Sequence, residues 1–428
     1  MQEDFHYYAT YCAAYLAGYS HEESMEICYS AQFVDLCSRT LLSKLGGPKA
    51  AATTQLQLEL MDARTDLTGL QDITRIWSSF HFLPRDLHAE VKGLKRYRDK
   101  YRLICGPNGD LVRDTVELAK GKSLQAAGVA MHVLADTWAH QHFAGTPSLV
   151  INNTNYHFFE ILETEEGLKD RRVLFRHSAS APDDPEAGLY TNSVYQSSEK
   201  NIMNLGHGRA GHLPDYSFIR YRYMPAWGKY REIIKNNPED YLHAFTQMIY
   251  ALRYLRGDNP SFETDTYDVA AVSPYAKEIW AILRRRQLDA SADWKAFGEK
   301  LSGRTIGDFD IGAYQKEYVD AEKGSKGNTF LGKFFLAALT QKSMVTNRIH
   351  SSGNSLAGIS IDFNEKGFGG MADFASILEA RADSAVEEIT DGLLDQRSAE
   401  EFDSGGLKAE EFDSGEGAAA EEQGGEDA

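Results

Sequence analysis

The sequence predicts an all-α fold: a multi-helix globular domain, interrupted by a long irregular loop region and followed by a disordered acidic C-terminal tail. Three observations carry this. Apolar residues recur at i, i+3/i+4 spacing in many segments. Strand signals are scarce, with Val173 to Phe175 and Ile359 to Phe363 the short candidates. From about residue 397 the chain reduces to Gly, Ala, Glu and a repeated octamer.

The elements follow in order. Residues 5 to 38 read as two helices. Tyr8, Cys12, Tyr15, Leu16 and Tyr19 form the stripe of the first, weakened near its end by Gly18. Ser20-His21-Glu22-Glu23 is a capping box, a hydroxyl at the cap and a Glu three residues later. It opens a second helix carrying Met25, Cys28, Phe33 and Leu36. Residues 46 to 53 are a small-residue break, 86 to 103 look helical and basic, and Gly106-Pro107-Asn108-Gly109 is a turn. Residues 111 to 140 give the best helical signal, broken at Gly121-Lys122, with Gly128 the one weak point beyond it. Residues 144 to 216, rich in Asn, Ser, Gly, Asp and Pro, read as an irregular excursion of the kind that is functional or disordered. Helical patterns return at 225 to 257, 273 to 286, 329 to 350 and 371 to 395. Ala399-Glu-Glu-Phe-Asp-Ser-Gly-Gly recurs as Ala409-Glu-Glu-Phe-Asp-Ser-Gly-Glu, too few copies for a solenoid. The expected organisation is one mainly helical metal-binding domain over 1–396 and a disordered tail over 397–428. That tail is a solubilising segment or a partner-binding motif anchored by Phe402 and Phe412.

At 428 residues, 42% hydrophobic and 25% charged, the chain can bury a sizeable core. The formal charge of −18 argues against a broad non-specific nucleic-acid surface. Met1-Gln2-Glu3-Asp4-Phe5-His6 lacks the pattern of a signal peptide, and no apolar run is long enough to span a bilayer. Cys12, Cys28, Cys37 and Cys105 form no CxxC pair and read as reduced, buried thiols of a cytoplasmic protein.

The chemistry is carried by the histidines, of which there are 13. The strongest cluster is His132-Val-Leu-Ala-Asp136-Thr-Trp-Ala-His140-Gln-His142. Residues four apart share a helix face, with Cβ atoms about 5–6 Å apart. His132, Asp136 and, if the helix continues, His140 therefore line one stripe among apolar neighbours. Imidazole and carboxylate donors together suit zinc, and without a metal such a buried set is costly. The bland alternative is a His–Asp ladder on a helix surface. His207, His212 and Asp215 lie within nine residues in a glycine-rich loop, which is either a metal-wrapping or a merely solvated one. Asp4, His6, Asp35 and His81 are single candidates, each more often a cap or a core residue when alone. His157 with Glu160 is a further pair, and His21, His88, His177, His243 and His350 read as structural.

Taken in order, these residues resemble the zinc-dependent phospholipases C and the related single-strand-specific nucleases, all-helical proteins with a trinuclear zinc site. His6 resembles the early histidine, Asp35 in Ala31-Gln-Phe-Val-Asp35 the aspartate, and His81 in Phe80-His81-Phe-Leu-Pro84 the next histidine. His132, Asp136 and His142 reproduce the family's His-x3-Asp-x5-His spacing, whereas the helical stripe favours His140. The closing pair is His207, or His212 with Asp215, or His157 with Glu160. The family also uses an N-terminal amine, which is not assumed here; Asp4 is its possible replacement. The resemblance covers roughly residues 4 to 215.

It implies two or three zinc ions and hydrolysis of a phosphodiester, in a lipid headgroup, a nucleic acid or a nucleotide. Asp136 would bridge two ions, and Asp35, His81 and His132 would complete their set. Asp35 and Asp136 are then the catalytic carboxylates. Tyr216-Ser-Phe-Ile-Arg-Tyr-Arg-Tyr223 interleaves aromatics with Arg220 and Arg222, suiting phosphate recognition or an amphipathic structural segment. Trp138 is a core residue or part of a substrate wall. Two rival readings are a non-catalytic, metal-stabilised structural or interaction protein, and a helical nucleotide phosphohydrolase of the His-Asp dyad kind. The absence of a His-Asp dipeptide speaks against the second.

Overall fold

In the computed structural model the described residues are 1–56, 58–60, 67–152, 154, 157–176, 184–186, 189–192, 207–354 and 356–357. The expected helix at 371–395, the strand at 359–363 and the acidic tail lie outside them.

The molecule is mainly helical. A π-helical segment, Asp4–Ala9, leads into α1 (Thr10–Leu16). The capping box then forms as expected: Glu23 N–H donates to Ser20 Oγ at 3.2 Å and Ser20 N–H to Glu23 Oε2 at 2.8 Å, opening α2 (His21–Phe33). After α3 (Arg39–Leu45) the small-residue break holds a short 3₁₀ turn, Lys49–Ala51. Then come α4 (Leu67–Phe80), α5 (Lys95–Tyr101) and α6 (Asp110–Ala119). The central helix is α7 (Leu124–Ala139), capped by the Ser123 hydroxyl. From Ala127 to Ala139 every one of its residues is buried. A helix enclosed on all sides belongs at the centre of a core, and α7 packs against α2, α4, α6 and two helices of the C-terminal half.

The expectation of an all-α fold needs correction. After α8 (Leu149–Asn152), the stretch read as irregular folds into β1 (Phe159–Thr164) and β2 (Gly167–Arg172). These pair antiparallel about a tight turn, in which Gly167 takes φ +114°. Strands β3 (Leu174–Arg176) and β4 (Tyr190–Asn192) form a separate parallel pair. Strands β5 (Arg220–Tyr223) and β6 (Ile233–Asn236) complete a four-stranded antiparallel sheet of order β2-β1-β5-β6. The Arg-Tyr-Arg-Tyr alternation of β5 is the period-two pattern of a half-buried strand. Tyr221 and Tyr223 are wholly buried while Arg220 and Arg222 face outward.

The C-terminal half supplies α9 (Asn237–Arg256), α10 (Val269–Val272), α11 (Ala276–Arg284), α12 (Ser291–Ser302), α13 (Gly312–Asp320) and α14 (Phe330–Ser351). Two cores result. The larger is helical and includes Trp138, whose indole N–H donates to Gln247 Oε1 at 2.8 Å. The smaller underlies the sheet, around Phe82, Phe143, Phe158, Leu213, Tyr221 and Tyr223. All four cysteines are free and buried. No helix among the described residues is long and apolar enough to cross a membrane.

Candidate metal centre

The histidines and aspartates meet where the two cores adjoin, around the C-terminal half of α7. His132 and Asp136, one turn apart on that helix, are 0% and 1% exposed. His6 arrives from the π-helical segment, a form that is rare and concentrated at functional sites. Its ring stacks on His132 with centroids 3.8 Å apart. Asp35 follows the end of α2, and His81 follows the end of α4. His140 is the C-cap of α7, and His207 and Asp215 come from the 3₁₀ turns that precede β5.

One pattern fixes the protonation of the rings. A backbone carbonyl only accepts, so a ring nitrogen that contacts one must carry the hydrogen. Four rings are anchored this way. His81 Nε2 donates to Thr53 O at 3.0 Å, and His132 Nδ1 to Ala31 O at 2.9 Å. His140 Nδ1 donates to His81 O at 2.7 Å, and His207 Nδ1 to Gly211 O at 2.7 Å. In a ring that carries a single hydrogen the opposite nitrogen is then a lone pair, and all four turn it toward a carboxylate. Metal-ligating histidines are held by this kind of outer hydrogen bond.

Three of the inward atoms form a nearly equilateral triangle. His81 Nδ1 to His132 Nε2, His81 Nδ1 to Asp136 Oδ2 and His132 Nε2 to Asp136 Oδ2 are each 3.3 Å. Asp35 Oδ1 stands at 3.7 Å from His81 Nδ1 and 3.9 Å from His132 Nε2. Donors around a tetrahedral ion with bonds of about 2.0–2.1 Å lie about 3.3–3.4 Å from one another. Three acceptor atoms facing one another repel unless a cation or a proton sits between them. On His132 the proton is disfavoured, because burial lowers that ring to about 4, against the pull of Asp136.

The other Asp136 oxygen serves a different side. Its Oδ1 lies 3.1 Å from His6 Nε2 and 2.8 Å from the Met1 amino nitrogen. That nitrogen is also 3.3 Å from Asp215 Oδ1 and 3.3 Å from His140 Nε2. Burial lowers His6, like His132, to about 4. Burial alone would raise the Asp136 carboxyl, but His140, the Met1 ammonium, His132 and His6 together hold it well below the usual carboxylate range. Asp215 behaves alike, with burial opposed chiefly by His207 and the Met1 ammonium. Its Oδ1 is 3.2 Å from His140 Nε2, and its Oδ2 is 3.6 Å from His207 Nε2 and 3.5 Å from His212 Nδ1.

Three groups among the described residues could therefore hold a metal ion: His6, Asp35 and His132; His81, His132 and Asp136; and His140, His207 and Asp215. Two members of the cluster keep some exposure, the Asp35 side chain at 30% and His207 at 19%. His212, beside Asp215, is 67% exposed.

The structure does not bring every candidate together. Helix α7 stops at Ala139, so His140 caps it and turns inward. His142 sits at φ +83°, and its ring packs beside Trp227, outside the three groups. Asp4 is also outside them: its Oδ2 accepts from Ala290 N–H at 3.1 Å, ahead of α12. The Met1 amino nitrogen, not Asp4, lies among the carboxylates. His157 pairs with Glu232, and Glu160 with Arg171 and Arg286, away from the cluster. Sequence reasoning missed Ala31, Thr53 and Gly211, which act through backbone carbonyls and leave no residue-type signal.

Fold and site together define a mainly helical protein with a buried histidine–aspartate cluster fit for metal. The chain belongs to the family of unknown function DUF6765, whose model matches residues 1–349. No curated protein and no solved structure matches it.

Proposed function

We propose that the cluster binds two or three zinc ions and that the protein hydrolyses a phosphodiester. The observation that carries this is the set of four imidazoles, each pinned by a backbone carbonyl, with lone pairs converging on Asp136 and Asp215. Nitrogen and carboxylate donors without thiolates suit zinc in a hydrolytic role. The ordered set His6, Asp35, His81, His132 and Asp136 supports the resemblance to the zinc-dependent phospholipases C and single-strand nucleases. The closing residues depart from that family's spacing, with His207 and Asp215 eight positions apart.

Zinc held there would lower the pKa of water and neutralise charge on a phosphoryl oxygen. The chain's own residues have distinct tasks. Asp136 presents one oxygen to His81 and His132 and the other to His6, the arrangement of a bridging carboxylate. Asp35, the partly exposed carboxylate, is placed to orient a nucleophile and accept its proton. The partial exposure of Asp35 and His207 favours a catalytic over a purely structural site, since structural zinc sites are closed. Strand β5 does not serve as a base-stacking surface. Tyr221 and Tyr223 are buried, and Arg222 pairs with Asp170 and Glu232.

The test is hydrolysis of bis(4-nitrophenyl) phosphate by zinc-loaded protein, followed by phosphatidylcholine vesicles and single-stranded DNA to separate the two sources of the phosphodiester. Asp136→Asn should lower kcat/KM by at least 100-fold and reduce bound zinc. Activity equal to wild type in that variant would sink the proposal.

A further inference from the structure

Helices α9 to α14 contribute none of the clustered side chains, yet one of them reaches the backbone just before His81 and the segment that holds its ring. Helix α14 packs against both α4 and α7. Its Gln341, 2% exposed, donates to Ser79 O at 3.2 Å and to Thr115 Oγ1 at 2.9 Å. Ser79 lies two residues before His81. The next residue, Lys342, donates through Nζ to Ala52 O at 3.0 Å. Ala52 precedes Thr53, whose carbonyl holds His81 Nε2.

The segment Ala51-Ala52-Thr53, the last residue of the 3₁₀ turn and the two beyond it, is 0% exposed. Buried backbone groups must find partners, and here the partners are informative. Thr53 N–H donates to Cys37 O at 2.9 Å, and Thr53 Oγ1 to Val34 O at 2.6 Å. Val34 and Cys37 bracket Asp35. One peptide segment is thus tied to the turn carrying Asp35, to the ring of His81 and to the ammonium of Lys342. His81 Nε2 is held by Thr53 O, one residue beyond the carbonyl that Lys342 binds.

We infer that Gln341 and Lys342 of α14 are positioning residues for the metal centre, locking the Ala52–Thr53 segment and the His81 backbone so that His81 and Asp35 converge on one ion. This rests on the metal-binding part of the proposed function and assigns a role to a helix with no ligand of its own. Outer hydrogen bonds of this kind typically contribute about 10–100-fold to metal affinity.

The experiment titrates metal-free full-length protein with cobalt(II), reading its visible absorption bands, and measures affinity by chelator competition. Lys342→Met and Gln341→Leu are compared with wild type, with Thr53→Val as a variant that cuts the same tether elsewhere. Leu283→Ala, a core change in α11, serves as a control for general loosening. The expected result is a 10–100-fold loss of affinity for one ion and shifted bands in the three tether variants, with neither change in Leu283→Ala. Wild-type affinity and bands in folded Lys342→Met would overturn the inference, as would an equal loss in Leu283→Ala. If Lys342→Met does not fold, Gln341→Leu and Thr53→Val decide by the same criteria. A wild-type chain that takes up no cobalt overturns the metal reading itself, and this inference with it.

Discussion

At the scale of residues, the chemistry turns on which ring nitrogen carries the proton. Four carbonyls settle that for His81, His132, His140 and His207. Burial settles the charge of His6 and His132, holding both near 4 instead of the ordinary value of about 6.5. This links pH to folding with a definite sign. Between about pH 6.5 and 4 the unfolded chain protonates these two rings, and those of His142 and His207, lowered to about 3 and 4, while the folded chain does not; the single buried Asp4 carboxyl, raised to about 6, opposes them in part. The metal-free protein should therefore lose stability as pH falls through that window. Asp136 and Asp215, held low in the fold, add to the loss at lower pH still. Urea midpoints of metal-free protein at pH 7, 6, 5 and 4.5 should decrease step by step. A flat series would mean that the buried histidines are not held neutral in the fold.

At the scale of elements, α7 carries the centre, and its close approach to α2 sets the position of His132. A Cβ at Gly128 would lie 2.4 Å from Ile27 O and 2.5 Å from Ser30 Cβ. The sequence marks Gly128 as a weakness in a helix; packing makes it a requirement. Gly128→Ala should cost about 1–3 kcal/mol, as overpacking does, read as a lower denaturation midpoint. It should also weaken metal binding, because α2 carries Ala31 and leads to Asp35. An unchanged midpoint would show that the two helices are not in close contact there. The same elements show what was legible beforehand. The capping box at Ser20, the run of α7 and the His132–Asp136 stripe were visible, because each rests on local spacing. The end of α7 at Ala139 was not, since no Gly or Pro marks it, and so the choice between His140 and His142 stayed open. The sheet was missed because its strands are short and sit in a polar stretch. Only β5 has a clear alternation, and the same pattern fits phosphate recognition or an amphipathic structural segment.

At the scale of the whole molecule, the site lies where the helical core meets the core beneath the sheet, with its side chains drawn from His6 to Asp215. No local signal could assemble such a set, since the contacts join residues up to about half the chain apart. The C-terminal helices complete the enclosure, and the family match runs through them to residue 349. It stops well short of the acidic repeats. Deleting residues 397–428 should therefore leave both the thermal midpoint and the bound metal unchanged, and a fall in either would give the tail a part in the fold. The central claim is that the converging lone pairs surround metal. It is tested most directly by elemental analysis of protein purified without chelator, alongside Asp136→Asn. The account predicts two to three zinc ions per wild-type chain and fewer in the variant. Less than one ion per chain in the wild type, or equal content in both, would contradict it.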